Sequence, residues 1–136
     1  MSLYLDASVL VALLIEEPFT AQAQAGIVGE TLLLSDFAVA EFSAAIARRV
    51  RIGDMPAVQA PLTFQAFDSW AARAASHTPQ DAGDTLRANA LIRRLDLGLR
   101  APDALHIAIA QRLGATLFTF DLGMARAAKA VGLPLA

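Results

Sequence analysis

The chain has 136 residues, is 56% hydrophobic, carries a formal net charge of −2 and contains no cysteine. Its length suits one domain that buries about two-thirds of its unfolded surface, and without a thiol it has neither disulfides nor a thiolate-bound metal. A pI near 5.6 argues against a protein that coats nucleic acid, though not against a nuclease whose acidic metal site offsets local arginines.

The mean hydropathy, +0.49, is high for so small a chain. Yet the longest apolar run, Val9 to Ile15, falls far short of the roughly 20 residues that a bilayer demands. The N-terminus lacks the basic segment of a signal peptide, and Asp6 interrupts its apolar stretch. The expectation is a cytoplasmic protein with no membrane span, whose surplus apolar surface suits an oligomer or partner interface.

In chain order, SLYL (Ser2 to Leu5) reads as a short buried strand closed by Asp6. Ala7 and Ser8 lead into an apolar helix, Val9 to Ile15, stopped by Glu16-Glu17-Pro18. A second helical pattern runs from about Ala21 to Val28, and TLLLS (Thr31 to Ser35) is the next strand. Ser35-Asp36 caps a longer helix ending near RRVRIG, where arginines suit the C-terminal dipole and Gly53 is a natural stop. Pro56 and Pro61 mark a loop or broken helix, and the helical pattern resumes from Leu62 to Ala75. SHTPQ reads as a connection. Asp81 or Asp84 starts a helix reaching Leu97, ended by Gly98; Pro102 opens another that runs to Leu113, with Gly114 as its stop. ATLFTF (Ala115 to Phe120) is a strand, Asp121 caps a helix ending at Gly132, and Leu133 to Leu135 is a candidate last strand. Strands separated by helices predict parallel pairing in a three-layer α/β/α sandwich. In such folds ligands collect beyond the carboxyl ends of the strands, where Asp6 and Asp121 both fall.

Four carboxylates stand out, and each also has a plain structural reading. Asp6 and Asp121 both read as turn or N-cap residues. Glu41 lies inside DFAVAEFSAAIARR with Phe37, Ala38, Ala44 and Ala45 on its face, so its carboxylate needs a cation, a hydrogen-bond network or a proton. A structural pair with an arginine would serve, and so would a metal. Asp103 heads an apolar helix and shares a face with His106, Ile107 and Ala110. It reads equally as a partner of the helix dipole, and His106 as a core-edge imidazole bonded to a neighbour. Together, oxygen ligands without cysteine or paired histidines suit Mg²⁺ or Mn²⁺ rather than zinc, ions that serve phosphoryl chemistry. Linear spacing does not say whether the four acids meet.

The order YLDAS, SDFAVAEF, RAPDALHIAIAQRLGATLFTFD and MARAAKAVGL resembles the PIN-domain ribonucleases, and among them the VapC-type toxins of toxin–antitoxin pairs. The resemblance spans nearly the whole chain, is most specific from Leu99 to Leu133 and weakest between Ile52 and Gln80. It implies a PIN-like fold with an acidic quartet at Asp6, Glu41, Asp103 and Asp121. Ser8 matches a hydroxyl position that supports the first aspartate, and Thr119 a polar position just before the last acid, with His106 in a supporting part. By the same resemblance the acids hold one or two Mg²⁺ or Mn²⁺ ions and cleave RNA to a 5′-phosphate and a 3′-hydroxyl. It also implies a homodimer and a small VapB-like antitoxin whose tail threads the cleft. The chain departs from the family pattern at Phe120, where a small or polar residue is frequent, and in DLGMA, which lacks an extra acid or asparagine found in some relatives.

Arg100, just ahead of Pro102, is the candidate RNA phosphate contact because of its closeness to Asp103. Arg48, Arg49 and Arg51 read as solvated helix-end arginines. Two other classes compete. A phospho-receiver or phosphatase domain also groups acids at strand ends, but it wants adjacent acids or Asp-x-Asp at the first strand, and position 8 is serine. Its lysine at a strand end is missing too, because Lys129, the only lysine in the chain, is mid-helix. A non-catalytic domain of the same fold would be expected to have lost one or more acids, and all four are present.

Overall fold

Short apolar segments make three of the four strands, and the helices between the strands lead to parallel pairing. The computed structural model describes residues 1–136. Its elements are β1 (Ser2–Leu5), α1 (Ala7–Leu14), α2 (Thr20–Gly26), β2 (Thr31–Ser35), α3 (Asp36–Arg51), α4 (Gln59–Ala74), β3 (Ala75–Thr78), α5 (Ala82–Ile92), α6 (Ala101–Leu113), β4 (Thr116–Phe118) and α7 (Leu122–Ala130), with a 3₁₀ turn at Leu95–Leu97. The sheet has the order β3-β2-β1-β4, and every pair is parallel. No helix is long and apolar enough to cross a membrane.

Alternation along β1 divides the core. Leu3 and Leu5 join Leu32, Leu34, Phe42, Ile46 and Phe118 on one face of the sheet. Tyr4 joins Leu117, Ile107, Ile109 and Met124 on the other. The result is the expected three-layer α/β/α sandwich. On the first face α2 comes so close to β4 that a Cβ on Gly26 would lie 2.6 Å from Phe118 Cε1, so only glycine fits there without moving a buried ring.

The strand order positions the site. From β1 the chain moves outward to β2 and β3, then returns to the opposite side of β1 as β4. This reversal opens a crevice at the carboxyl ends of β1 and β4, the place where parallel sheets bind ligands. Asp6 follows β1 and Thr119 to Asp121 follow β4; the two segments are tied by the Asp6 amide donating to the Phe118 carbonyl at 3.3 Å.

Several boundaries differ from expectation. SHTPQ is not merely a connection: Ala75–Thr78 is β3, pairing with β2 from Leu32↔Ala75 to Ser35↔Thr78. It is an edge strand with little buried surface, so it carries no apolar alternation to announce it. The fourth helix starts at Gln59 rather than Leu62, because Pro61 falls in the first turn, where no backbone N–H is needed. The helix from Ala82 ends at Ile92, and the 3₁₀ turn then leads to Gly98 at φ 62°. The strand expected over Ala115 to Phe120 shrinks to Thr116–Phe118. Leu135 contributes a single parallel bridge to Leu117 rather than a strand.

Candidate active site

Asp6 is held at the crevice by local chemistry. It N-caps α1, accepting from the Val9 amide at 3.2 Å, and its two oxygens accept from the Ser8 and Thr119 hydroxyls, each at 2.6 Å. Those hydroxyls are themselves fixed, since Ser8 accepts from the Phe120 amide at 3.0 Å and Thr119 from the Asp121 amide at 3.0 Å. At 3% exposure, burial pushes the Asp6 carboxyl above its ordinary range, while the hydrogen bonds from Ser8, Thr119 and the Val9 amide oppose the rise.

Glu41 comes from the first turns of α3, whose N-cap is Ser35: the Ser35 hydroxyl oxygen accepts from the Ala38 amide at 3.0 Å. The Glu41 carboxylate is bonded to His106 Nε2, so a histidine of α6 rather than an arginine answers the need read from its apolar face. His106 is 1% exposed and its Nδ1 lies 2.8 Å from the Tyr4 hydroxyl, which lies 2.7 Å from Ser35 Oγ. One proton pattern satisfies the whole row. Ser35 donates to Tyr4, Tyr4 donates to Nδ1, and neutral His106 donates from Nε2 to Glu41. Burial pushes the Tyr4 hydroxyl well above its ordinary value, which keeps it a donor. Removing that hydroxyl by Tyr4→Phe leaves the Ser35 hydroxyl proton and His106 Nδ1 without their partner in the core. The expected cost is about 1–3 kcal/mol, read from the urea midpoint; an unchanged midpoint would mean that the row does not depend on Tyr4.

Asp103 lies in the first turn of α6, half-buried and without a hydrogen bond of its own. Burial raises its carboxyl first, then the charges of Asp121 and Glu41; Arg100 pulls the other way. Asp121 is exposed and N-caps α7, accepting from the Met124 amide at 2.8 Å. Arg100 stands exposed at the N-cap position of α6, with no side-chain capping bond.

The fold therefore brings the sequence-selected residues to one end of the sheet without drawing them onto a single point. No three His, Cys, Asp or Glu side chains converge closely enough to hold an ion. The reason lies in their partners: Asp6 faces two hydroxyls, Glu41 faces His106, and Asp121 faces its own helix. Their chemistry nevertheless fits a hard divalent cation, with all-oxygen donors at mutually repelling positions. None of the four acids pairs with lysine or arginine; the arginine ion pairs are Arg49–Glu17, Arg87–Asp84, Arg94–Asp96 and Arg112–Asp84.

Sequence reasoning missed Tyr4 and the second duty of Ser35. The signal was present, since the only tyrosine of the chain sits inside an otherwise aliphatic strand, and a buried hydroxyl requires a partner.

Comparison with known proteins follows the same outline. Similar solved structures include a chain of the VapBC complex of Rickettsia felis bound to a DNA fragment from its promoter, at 18% identity and TM-score 0.71, covering 100% of this chain and 98% of that one. A Mycobacterium tuberculosis VapC, described as a sarcin–ricin loop cleaving toxin, matches at 17% identity and TM-score 0.74, with 98% of each chain covered. A chain of a VapBC complex from nontypeable Haemophilus influenzae matches at 14% identity and TM-score 0.69, over 100% of this chain and 97% of that one. At such identities the likeness is one of fold. No curated protein matches the sequence. A family model for the PIN domain, however, matches residues 3–130. With that match running from the first strand to the end of the last helix, the chain belongs to the PIN domain family.

Proposed function

We propose that the chain is a metal-dependent endoribonuclease toxin of VapC type, acting in the cytoplasm and restrained by a small VapB-like antitoxin. The observation that carries this reading is the gathering of acids at the sheet's carboxyl end, where Asp121 and Glu41 both disfavour ionisation of Asp103 and no lysine or arginine forms an ion pair with any of the four. Such a cluster costs stability in a bare protein and is relieved by a cation. The VapC and VapBC relatives support the toxin assignment by fold, and the complexes among them support the antitoxin partner. We include a homodimer in the proposal on the family resemblance.

In this reading Asp6, Glu41, Asp103 and Asp121 would hold Mg²⁺ or Mn²⁺, which would supply activation of water and neutralisation of phosphate charge for an in-line displacement. The chain's own residues do the positioning. Ser8 and Thr119 fix both oxygens of Asp6, and His106 fixes one oxygen of Glu41 while Tyr4 sets its tautomer. The N-terminus of α6 favours the ionised form of Asp103, and Arg100 contacts an RNA phosphate beside it.

The test is cleavage of structured RNAs by the purified protein in Mg²⁺ or Mn²⁺, against excess chelator and against Asp6→Asn. Cleavage in metal alone, lost in both other conditions, is the expected result. Cleavage that survives either chelator or the substitution overturns the mechanism.

A further inference from the structure

A cleft of about 390 Å³ opens beside the acids, between α1, the start of α2 and one face of α3. Ser8 and Asp121, the rings of Phe19 and Phe120, Ala45 of α3 and Glu17 line it. Its size is within the range of small-ligand sites, and its aromatic side is part of a stack of three rings. Buried Phe118 meets Phe120 edge-on at 5.3 Å and 68°, and Phe120 stacks on Phe19 at 4.6 Å and 14°. Phe19, the outermost ring, is 47% exposed. A ladder anchored in the core thus ends in an open phenyl ring within one cleft of Asp121.

The charge pattern along α3 says what kind of molecule runs through this cleft. Glu41, Ala45 and Arg49 recur at intervals of four and share one helix face. The face begins among the acids, passes the cleft at Ala45 and ends at Arg49, whose Nη2 lies 3.1 Å from Glu17 Oε2. Arg48 and Arg51, exposed and without ion pairs, extend the basic end. An acidic cation site, a flat aromatic platform and the unpaired Arg48 and Arg51 in that order match a nucleic-acid strand, with one phosphate at the acids, a base on the rings beside the Arg49–Glu17 pair, and the next phosphate toward Arg48 and Arg51. An apolar peptide would use the rings and leave the basic end unexplained.

We propose that this cleft is a nucleobase subsite, in which the base next to the scissile phosphate stacks on the Phe19–Phe120 platform and presents its polar edge to Glu17 and Arg49. The proposal rests on the nuclease reading, and its test separates the two. The substrate is a short RNA containing the cleaved bond, together with versions made abasic at each nucleotide flanking that bond. Phe19→Ala, a change at an exposed position outside the acids, is expected to raise KM on the intact RNA about tenfold or more, with kcat held within about twofold. The matching abasic RNA is expected to show the same raised KM with the parent protein and no further rise with Phe19→Ala, while Phe19→Trp restores tight binding. In parallel, the four nucleoside 5′-monophosphates are titrated onto the protein in chelator, where the ring resonances of Phe19 and Phe120 are expected to shift for at least one of them.

Retained cleavage with KM indifferent to both Phe19→Ala and the abasic positions overturns the subsite and leaves the nuclease reading standing. Absence of cleavage by the parent protein, with ring shifts still seen, overturns the nuclease reading and leaves a base-binding cleft. Absence of ring shifts with all four nucleotides overturns the subsite. If Phe19→Ala leaves KM on the intact RNA unchanged but releases the enzyme from a co-expressed antitoxin, the cleft is a peptide groove and the subsite is again overturned.

Discussion

Asp103→Asn is expected to lower RNA cleavage at least about 10²-fold, while leaving the metal-free protein as stable as the parent or more so. Two terms set the stability side. As a first-turn acid, Asp103 gains about 0.3–1 kcal/mol from the α6 dipole, and asparagine forfeits that. Against it stand burial and the like charges of Asp121 and Glu41, which asparagine relieves. No hydrogen bond is lost, because Asp103 makes none to its neighbours. A residue that served only to start the helix would behave in the opposite way, with stability falling and cleavage untouched. Melting temperatures in chelator, measured beside initial cleavage rates in Mg²⁺, separate the two cases. A lower melting temperature with full activity would return Asp103 to its role in the helix end.

What could be read from the sequence depended on whether the relevant force acts locally. Asp6 and Asp121 were legible as strand-end caps because capping is a matter of three residues, and both do cap helices. The order of strands and helices was legible for the same reason, since β1, β2 and β4 each carry a short apolar run between helix signals. β3 was missed because an exposed edge strand needs only backbone pairing, and Ala-Ser-His-Thr offers no periodicity. The site shows the same division. That Glu41 needed a partner followed from its apolar helix face; that the partner is His106, 65 residues away, depended on how α3 and α6 cross the sheet. Tyr4 and His106 are farther apart still, and only the packing of β1 against α6 brings them to 2.8 Å. Helix signals alone also gave Asp84 nothing beyond a start, yet it is fully buried and bonded to α6.

That last bond supplies the largest expected effect on folding. Arg112→Ala is expected to destabilise the protein by about 3–5 kcal/mol, a large share of the roughly 5–15 kcal/mol that holds a small domain together. Asp84 is completely buried on α5. Arg112, from the last turn of α6, grips it with two hydrogen bonds, Nε to Oδ1 at 2.6 Å and Nη2 to Oδ2 at 2.8 Å. The Asp81 amide donates to Oδ2 at 2.9 Å, completing a capping box, and Arg87 adds a longer contact at 3.6 Å. Burial alone would raise the Asp84 carboxyl, but Arg112, the Asp81 amide and Arg87 outweigh it and hold the group below its ordinary range. Because the folded value is depressed, this carboxylate adds stability above the ordinary aspartate pKa of about 3.9, and that contribution is lost as pH falls through the folded value. Arg112→Ala therefore moves the onset of acid unfolding upward as well as lowering the urea midpoint at pH 7. The double change Asp84→Ala with Arg112→Met removes the buried charge together with its partner, so it is expected to cost much less than Arg112→Ala alone. A single variant as stable as the parent would mean that water, not Arg112, satisfies Asp84. The pair matters to the site because α5 and α6 otherwise meet through apolar side chains, Ala88, Ala104 and Ala108 with the partly buried Leu91, Ile92 and Leu105 around them. The ion pair adds a directional contact to this packing, and α6 carries both Asp103 and His106.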